Sequence, residues 1–299
     1  MRCAWRPCSV PDRRRGGPSE VGVSSFGGKV AIITGATSVE PGGVNIGGAA
    51  AAELASCGAR VVVASRTIEN VERLAAMLNE KHGPGTALAV ATDVRSENQV
   101  EQLVATAVGA FGGLHVLINV AGIFPVGDGD LASMSVDVWD DVMAVNLRGT
   151  MLATKYALPH LREVGGAIVN TASTHAFAGD SGLTAYGATK AAILALTAYT
   201  ATQYGQEGVR CNAVCPGVTI TPPALRLPAV MMGIYRRHVV APELNGPERL
   251  AKLYCFLASD DAGAINGEHV RADNGMLAQQ PFVPDMRDLA RAAVPDELD

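Results

Sequence analysis

Residues 29–34 read KVAIIT and run straight into Thr34-Gly35-Ala36. A second glycine cluster follows at Pro41-Gly42-Gly43-Val44-Asn45-Ile46-Gly47-Gly48, and the run Ala49-Ala50-Ala51-Ala52 then opens a segment of helical composition that closes at Gly58. An unbroken β-branched run predicts a strand covered on both faces, as in a parallel sheet. Glycine behind it permits positive φ and lets the backbone approach a ligand with no Cβ in the way. The helix that follows presents unpaired N–H groups and the positive end of its dipole, which suits a phosphate. A glycine-rich turn alone is weak evidence, because many tight turns look alike. Its place between a first strand and a first helix is what favours a nucleotide site over a structural turn.

The alternation continues outward from there. Strands are expected at 60–65 (RVVVAS), 87–92, 114–119 (LHVLIN), 167–171 (AIVNT), 209–215 (VRCNAVC) and 269–272. Helices are expected at 46–57, 68–81, 96–111, 136–161, 183–204 and 247–257. Seven strands separated by helices imply an α/β fold, a doubly wound parallel sheet with helices on both faces. A dinucleotide would then bind outside the carboxyl ends of the strands, where the winding direction reverses. No linker or repeat divides residues 27–280, so they are read as one domain, with 1–26 as a disordered N-terminal extension and 281–299 as a tail. Residues 216–246 are proline-rich and lack period, which predicts a functional substrate loop rather than a packed layer. In the tail Met286, Leu289, Ala290 and Ala293 share a helical stripe that could cover a neighbouring subunit, lie on its own body, or fray.

Composition narrows the function classes. Of 299 residues 48% are apolar and 18% charged, which excludes a disordered chain and a disulfide-stapled mini-domain. No apolar run approaches the ~18 residues of a membrane span, so no membrane association is expected. Net charge is −5; residues 1–20 hold five Arg against Asp12 and Glu20, and 281–299 hold two Arg against five acids, leaving a mildly acidic body that argues against nucleic acid. Arg13-Arg14-Arg15 reads as a solvated tail. Cys57, Cys211, Cys215 and Cys255 sit among small apolar residues and read as reduced core thiols, and no Cys, His or Asp spacing suggests a metal. The Arg-rich first 26 residues lack a secretory apolar stretch; a short organelle-targeting peptide is the alternative to plain extension, and the body is expected in the cytoplasm.

The adenosine end is read from the ends of strands two and three. Ser65-Arg66 pairs a hydroxyl with a guanidinium where a carboxylate would accept from a ribose 2′-OH, so it suits a 2′-phosphate and favours NADP, with NAD as the alternative and a merely solvated Arg66 as the bland reading. Asp93-Val94 could present a carboxylate to an adenine amino group or cap the helix at Ser96. For chemistry, Tyr186 and Lys190 stand four apart on one helical face, and a cation beside a phenol is expected to lower the phenol's pKa. Ser173 lies thirteen residues earlier, after strand five, and can approach the same carbonyl. Asn146, within a helix, would be costly there unless its carboxamide bonded a water or a backbone group.

Taken together these residues make the sequence resemble the short-chain dehydrogenase/reductase family over about residues 27–276. The motifs recur in order: Thr34-Gly35-Ala36 with Ile46-Gly47, Asp93-Val94, Asn119-Val120-Ala121-Gly122, Asn146, Ser173, Tyr186 with Lys190, Pro216-Gly217 with Thr221, and Asp273-Asn274-Gly275. The resemblance implies a Rossmann-type fold, nicotinamide-dependent interconversion of an alcohol and a carbonyl, and a homo-oligomer, tetramer or dimer. It implies Tyr186 as general acid and base, Lys190 as its modulator and the holder of the nicotinamide ribose, Ser173 as donor to the carbonyl oxygen, and Asn146 as holder of a relay water. It further implies Gly35, Ile46 and Gly47 at the pyrophosphate, Asn119, Ala121 and Gly122 on the adenosine side, and Pro216, Gly217 and Thr221 around the nicotinamide amide.

Three departures stand out. The glycine loop is about six residues longer than the family's TGxxxGxG, Asn45 replaces its middle glycine, and Val120 stands where a second Asn is common. They put the phosphate contacts and the cofactor preference in question and leave the four catalytic positions untouched. Phe124, His175, Phe177, Leu183, Met231, Met232 and Tyr235 are the candidates for the substrate pocket, a largely apolar set that favours a hydrophobic secondary alcohol or ketone. Met231 and Met232 read equally as packing, and His175 either as a satisfied loop residue or as a ligand to a substrate oxygen. Intact catalytic positions argue against a silent nucleotide-sensing regulator. The Tyr–Lys spacing is shorter than the resemblance implies for enoyl reductases.

Overall fold

The β-branched runs pair side by side, all parallel, in a computed structural model that describes residues 25–39, 43–222 and 224–292. β1 (Val30–Thr34) is buried along its whole length. After it, β2 (Ser38–Val39) and β3 (Gly43–Val44) form a small antiparallel ribbon inside the glycine loop. The other sheet strands are β4 (Arg60–Ser65), β5 (Ala87–Ala91), β6 (Val116–Asn119), β7 (Ala167–Thr171), β8 (Arg210–Pro216) and β9 (His269–Ala272). Their order is β5-β4-β1-β6-β7-β8-β9. The chain therefore builds outward from β1 to β5, returns, and builds the other way from β6, and the crevice at the reversal opens where Thr34 pairs with Asn119. This is the expected doubly wound sheet.

Alternate residues of β1 face opposite layers. Ala31 and Ile33 pack with α1 (Ile46–Ser56), α2 (Ile68–His82) and α8 (Pro247–Ala258). Ile32 faces α3 (Glu97–Phe111), α5 (Gly149–Val164) and α6 (Thr184–Tyr204). The small residues of α1 let it lie directly on the loop: a Cβ on Gly48 would stand 2.5 Å from the Thr37 carbonyl oxygen. Cys211, Cys215 and Cys255 are buried free thiols, Cys57 is half-buried and free, and Cys3 and Cys8 lie outside the described residues.

Several elements depart from expectation. The helix expected over 136–161 is α4 (Val136–Val142) and α5 joined without a break by a π-helical turn, Met143–Arg148, that carries Asn146. Residues 216–246 hold α7 (Ala229–Arg237), so this stretch is partly packed structure rather than loop. The body also begins before residue 27: Phe26 is fully buried, and its N–H donates to the Cys57 carbonyl at 2.8 Å. Residues 1–24, including the Arg run, lie outside the described residues. In the tail, α9 (Val283–Ala292) rests on its own chain, with Asp285 and Asp288 paired to Arg237 and with Arg287 donating to the Val239 carbonyl at 3.2 Å. Met286 and Leu289 remain exposed, and residues 293–299 lie outside the described residues. Among the described residues no helix is long and apolar enough to cross a membrane.

Candidate active site

Gly35 begins the site, with φ +69°, a region in which side chains are strained. A Cβ there would lie 2.6 Å from both the Cα and the N of Ala121, and one on Gly47 would lie 2.8 Å from the Gly35 carbonyl oxygen. The cradle thus exists only without side chains. Asn45 caps α1: its Oδ1 accepts from Gly48 N–H at 2.8 Å and Thr37 N–H at 3.0 Å, while its Nδ2 donates to the Gly35 carbonyl at 2.7 Å. The residue that replaces the family's middle glycine therefore clamps both sides of the lengthened loop. Ile46 and Gly47, first in the helix, have N–H groups without an intrahelical acceptor. Bare backbone beside a helix N-terminus fits a dinucleotide pyrophosphate.

At the end of β4 the Ser65 hydroxyl is buried without a hydrogen-bond partner among the described residues, and Arg66 is exposed beside it. Three expected contacts are corrected here. Asp93 does not hold its carboxylate free for an adenine or cap Ser96 with it; Arg95 grips it at 2.7–3.1 Å and pairs in turn with Asp141 at 2.7 Å. Hydrogen bonding to Arg95 holds the Asp93 carboxyl below its usual range against the opposing effect of burial. Val94 is buried against Gly149, where a Cβ would meet it at 2.7 Å. Asn119 turns its side chain into the core, donating to Asn170 Oδ1 at 2.9 Å, so what this position can offer a ligand is backbone.

The four residues expected to do chemistry gather at the ends of β6 and β7. Ser173 follows β7, and Tyr186 and Lys190 lie in the first two turns of α6. Lys190 is buried, donates to the Thr171 carbonyl at 2.8 Å, and holds its ammonium 5.4 Å from the Tyr186 ring centre. A Cβ on Gly122 would come within 3.4 Å of Asn146 Oδ1 and 3.5 Å of Lys190 Nζ, which keeps open the space between them. Asn146 Oδ1 accepts from Ile123 N–H at 2.7 Å, and its Nδ2 donates to the Ile123 carbonyl at 3.0 Å and Thr189 Oγ1 at 3.2 Å. Both amide protons are thus used to tie the strand-end loop to the catalytic helix. A π turn, with its wider ring of backbone, is a common device for aiming such a side chain.

Sequence reasoning missed Asp128. Its carboxylate is buried and accepts from Ala185 and Tyr186 N–H groups, each at 2.8 Å, at the start of α6. An anion there satisfies two orphan donors and complements the helix dipole. Nothing in the local sequence marks a cap that arrives from 57 residues away.

The expected low phenol pKa is also corrected. Burial pushes the Tyr186 phenol up, opposed by its hydrogen bond with Ser173. The ammonium sits by the ring while its proton goes to Thr171, so desolvation outweighs it. Burial also pushes Lys190 down to about 8. The unfolded chain keeps this proton until about pH 10.4. Its cost to folding is therefore fully present below pH 8 and is relieved as pH rises between the two values. Lys190→Met should be more stable than the parent by about 2 kcal/mol at neutral pH, after loss of the Thr171 bond, and the gap should close toward pH ~10. Urea unfolding at both pH values checks this, and a gap independent of pH would contradict it.

A cleft of about 580 Å³ opens above these groups. Phe124, His175, Leu183 and Tyr235 line it as expected, together with Ile46, Pro216, Gly217 and Thr221. Phe177 and Met231 are instead exposed, and Met232 is buried against Val239 and Leu244, so these three are not pocket residues. Their places are taken by Ile234 and His238 on and after α7 and by Met276 and Leu277 after β9. The signal was present: Ile234, Tyr235 and His238 follow the helical spacing i, i+1, i+4 that a loop reading discarded.

Comparison with known proteins gives a consistent picture. A family model described as Enoyl-(Acyl carrier protein) reductase matches residues 43–277. A Bradyrhizobium diazoefficiens protein named "Probable short-chain type dehydrogenase/reductase" is 42% identical over 264 residues, 87% of this chain and 91% of that protein. Meso-2,3-butanediol dehydrogenase of Serratia marcescens is 36% identical over 85% of this chain and 96% of its own. A solved dehydrogenase/reductase from Sinorhizobium meliloti matches with a TM-score of 0.76 and 30% identity, covering 84% of this chain and 96% of that one.

Proposed function

The chain belongs to the short-chain dehydrogenase/reductase family of oxidoreductases that act on CH–OH groups with nicotinamide cofactors, and from that premise we propose an NADP-preferring enzyme for a largely apolar secondary alcohol or ketone. The observation that carries this reading is the opening of Ser173 and Tyr186, with Lys190 behind them, onto one cleft walled by Phe124, Leu183, Ile234, Tyr235, Met276 and Leu277. The alcohol named for the butanediol relative is a secondary alcohol, which agrees in kind.

When bound, the nicotinamide supplies or accepts the hydride. Tyr186 gives its phenolic proton to the carbonyl oxygen in reduction and takes the alcohol proton in oxidation. Ser173 holds the same oxygen through its hydroxyl and steadies the charge that develops there. Lys190 supports the phenolate in the charged state and faces the opening beside Gly122 where the ribose hydroxyls would lie. Asn146 acts through Ile123 and Thr189 in this reading, as a positioning residue in place of a water holder. Ile46 and Gly47 amides, with Gly35, receive the pyrophosphate; Ser65 and Arg66 receive the 2′-phosphate; Pro216, Gly217 and Thr221 receive the carboxamide. Asp93, Ala121 and Gly122 shape the walls. A homo-oligomer, tetramer or dimer, in the cytoplasm completes the reading.

A panel of ketones and secondary alcohols tested with both cofactors, followed by nicotinamide absorbance, examines the proposal. Turnover with NADPH and a lower KM for it than for NADH is expected. Arg66→Asp should reverse that preference by about tenfold or more, since it removes a charge-assisted fork and adds a carboxylate for a 2′-OH. An unchanged preference would assign Arg66 to solvent, and a lower KM for NADH in the parent would favour NAD. No turnover on any member of the panel would favour a silent nucleotide sensor.

A further inference from the structure

The Ser173 hydroxyl does not face the cleft alone. Its Oγ accepts from His175 N–H at 3.2 Å and lies 3.2 Å from His175 Nδ1. The other ring nitrogen, Nε2, lies 3.2 Å from Asp180 Oδ2. All three residues line the cleft, and the imidazole stands edge-on to Tyr186 with ring centres 5.5 Å apart. Both ring nitrogens are engaged, so the imidazole has none to spare for a substrate oxygen.

Counting protons and lone pairs makes the arrangement a two-state device. Asp180 accepts, so neutral His175 carries its proton on Nε2 and its Nδ1 is an acceptor. Ser173 must then donate its only proton to Nδ1. With one lone pair on His175 N–H and the other taken by the Tyr186 hydroxyl, Ser173 then has no proton to offer the cleft. When His175 takes a second proton from solvent, Nδ1–H donates to Oγ instead. Both lone pairs remain occupied, and the Ser173 proton is released to point into the cleft.

We propose that His175, oriented by Asp180, is a positioning residue that sets whether the Ser173 proton is held by the imidazole or offered to the reacting oxygen. The inference rests on the oxidoreductase reading above and names the control of that site. Neutral His175 keeps that proton turned to its own Nδ1 and away from the oxygen. Charged His175 makes Ser173 a donor to a carbonyl oxygen and its developing negative charge. The two directions share one transition state, so both gain from the protonated imidazole. The titratable groups around the ring are Asp180, Tyr186, His238 across the cleft, and Lys190 by the Tyr186 ring. Burial raises the Asp180 carboxyl, but hydrogen bonds from Ser181 and His175 outweigh it and keep it ionised.

Two measurements test this. Nitrogen NMR of the imidazoles in the protein without cofactor should show neutral His175 with the proton on Nε2 and an acceptor Nδ1. Asp180→Asn, at a position exposed enough to leave folding intact, removes the charge that favours the imidazolium and should lower ketone reduction at the acid end. In kinetics, kcat/KM for ketone reduction measured from about pH 5 to 9 should contain a descending limb that weakens in Asp180→Asn and vanishes in His175→Phe. Reduction by His175→Phe at the acid end should be about tenfold below the parent. Oxidation should show the same dependence on the His175 side chain. A proton on Nδ1 in neutral His175, or the same limb in His175→Phe, would overturn the proposal. Absence of any turnover in the parent would instead strike the oxidoreductase reading, and the tautomer would still decide the Ser173 geometry.

Discussion

Tyr186→Phe is expected to lower kcat for carbonyl reduction by about 10²–10⁴-fold while leaving the affinity for the nicotinamide cofactor within about twofold. The substitution deletes the one proton that the cleft can hand to a substrate oxygen beside Ser173. The ring itself stays, still packed edge-on between Phe124 at 5.8 Å and His175 at 5.5 Å, so the walls of the cleft should not move. Because burial has raised the phenol above its ordinary value, the parent should hold this proton across the neutral range, and reduction should not be limited there by its loss. Rates of nicotinamide oxidation with a responsive ketone and a fluorescence titration of the cofactor separate the two effects. Retention of more than a tenth of the parent rate would show that another group supplies the proton.

Gly35→Ala should abolish useful cofactor binding, raising Kd by at least about 100-fold. Two penalties combine: an αL backbone that a side chain resists, at about 1–3 kcal/mol, and a methyl placed 2.6 Å from the backbone of Ala121, which can give way only if β1 and β6 separate at their ends. That separation would widen the crevice where the pyrophosphate belongs. Gly85→Ala is the matched control, because it shares a positive φ, +80°, but has nothing within 4 Å of its added Cβ. Both variants should lose a few °C in melting temperature. Only Gly35→Ala should lose the cofactor, and a parallel loss in Gly85→Ala would trace the effect to general destabilisation.

The sheet was legible because its inner strands are short continuous runs, such as VAIIT or RVVVAS, whose burial leaves no other reading. Boundaries at β4 and β7 match to the residue for that reason. The π turn at Met143–Arg148 was not legible, since it shifts the phase of a long helix by about one residue and leaves its apolar content unchanged. The proposed catalytic positions follow from motif order, but their electrostatics do not. Spacing brings Lys190 to Tyr186, and only the fold reveals that its proton goes to Thr171 and that burial governs both groups. The cleft was half read: Phe124 and Leu183 came from proximity to motifs, whereas Ile234, Met276 and Leu277 depend on how two distant segments fold over the strand ends. Asp128, held far from α6 in the chain, had no local sign at all.

The carboxamide of Asn45 uncouples the length of the turn from what the turn does. In a loop shaped by backbone alone, every added residue would displace the anion-facing amides. Here one side chain pins Gly35, Thr37 and Gly48, and the ribbon between Thr37 and Asn45 lies outside the pinned points. Ser38 is itself buried and held by Arg73, so foreign sequence, such as a short epitope or a fluorophore-accepting tag, belongs between Val39 and Gly43, beyond the residues Asn45 holds.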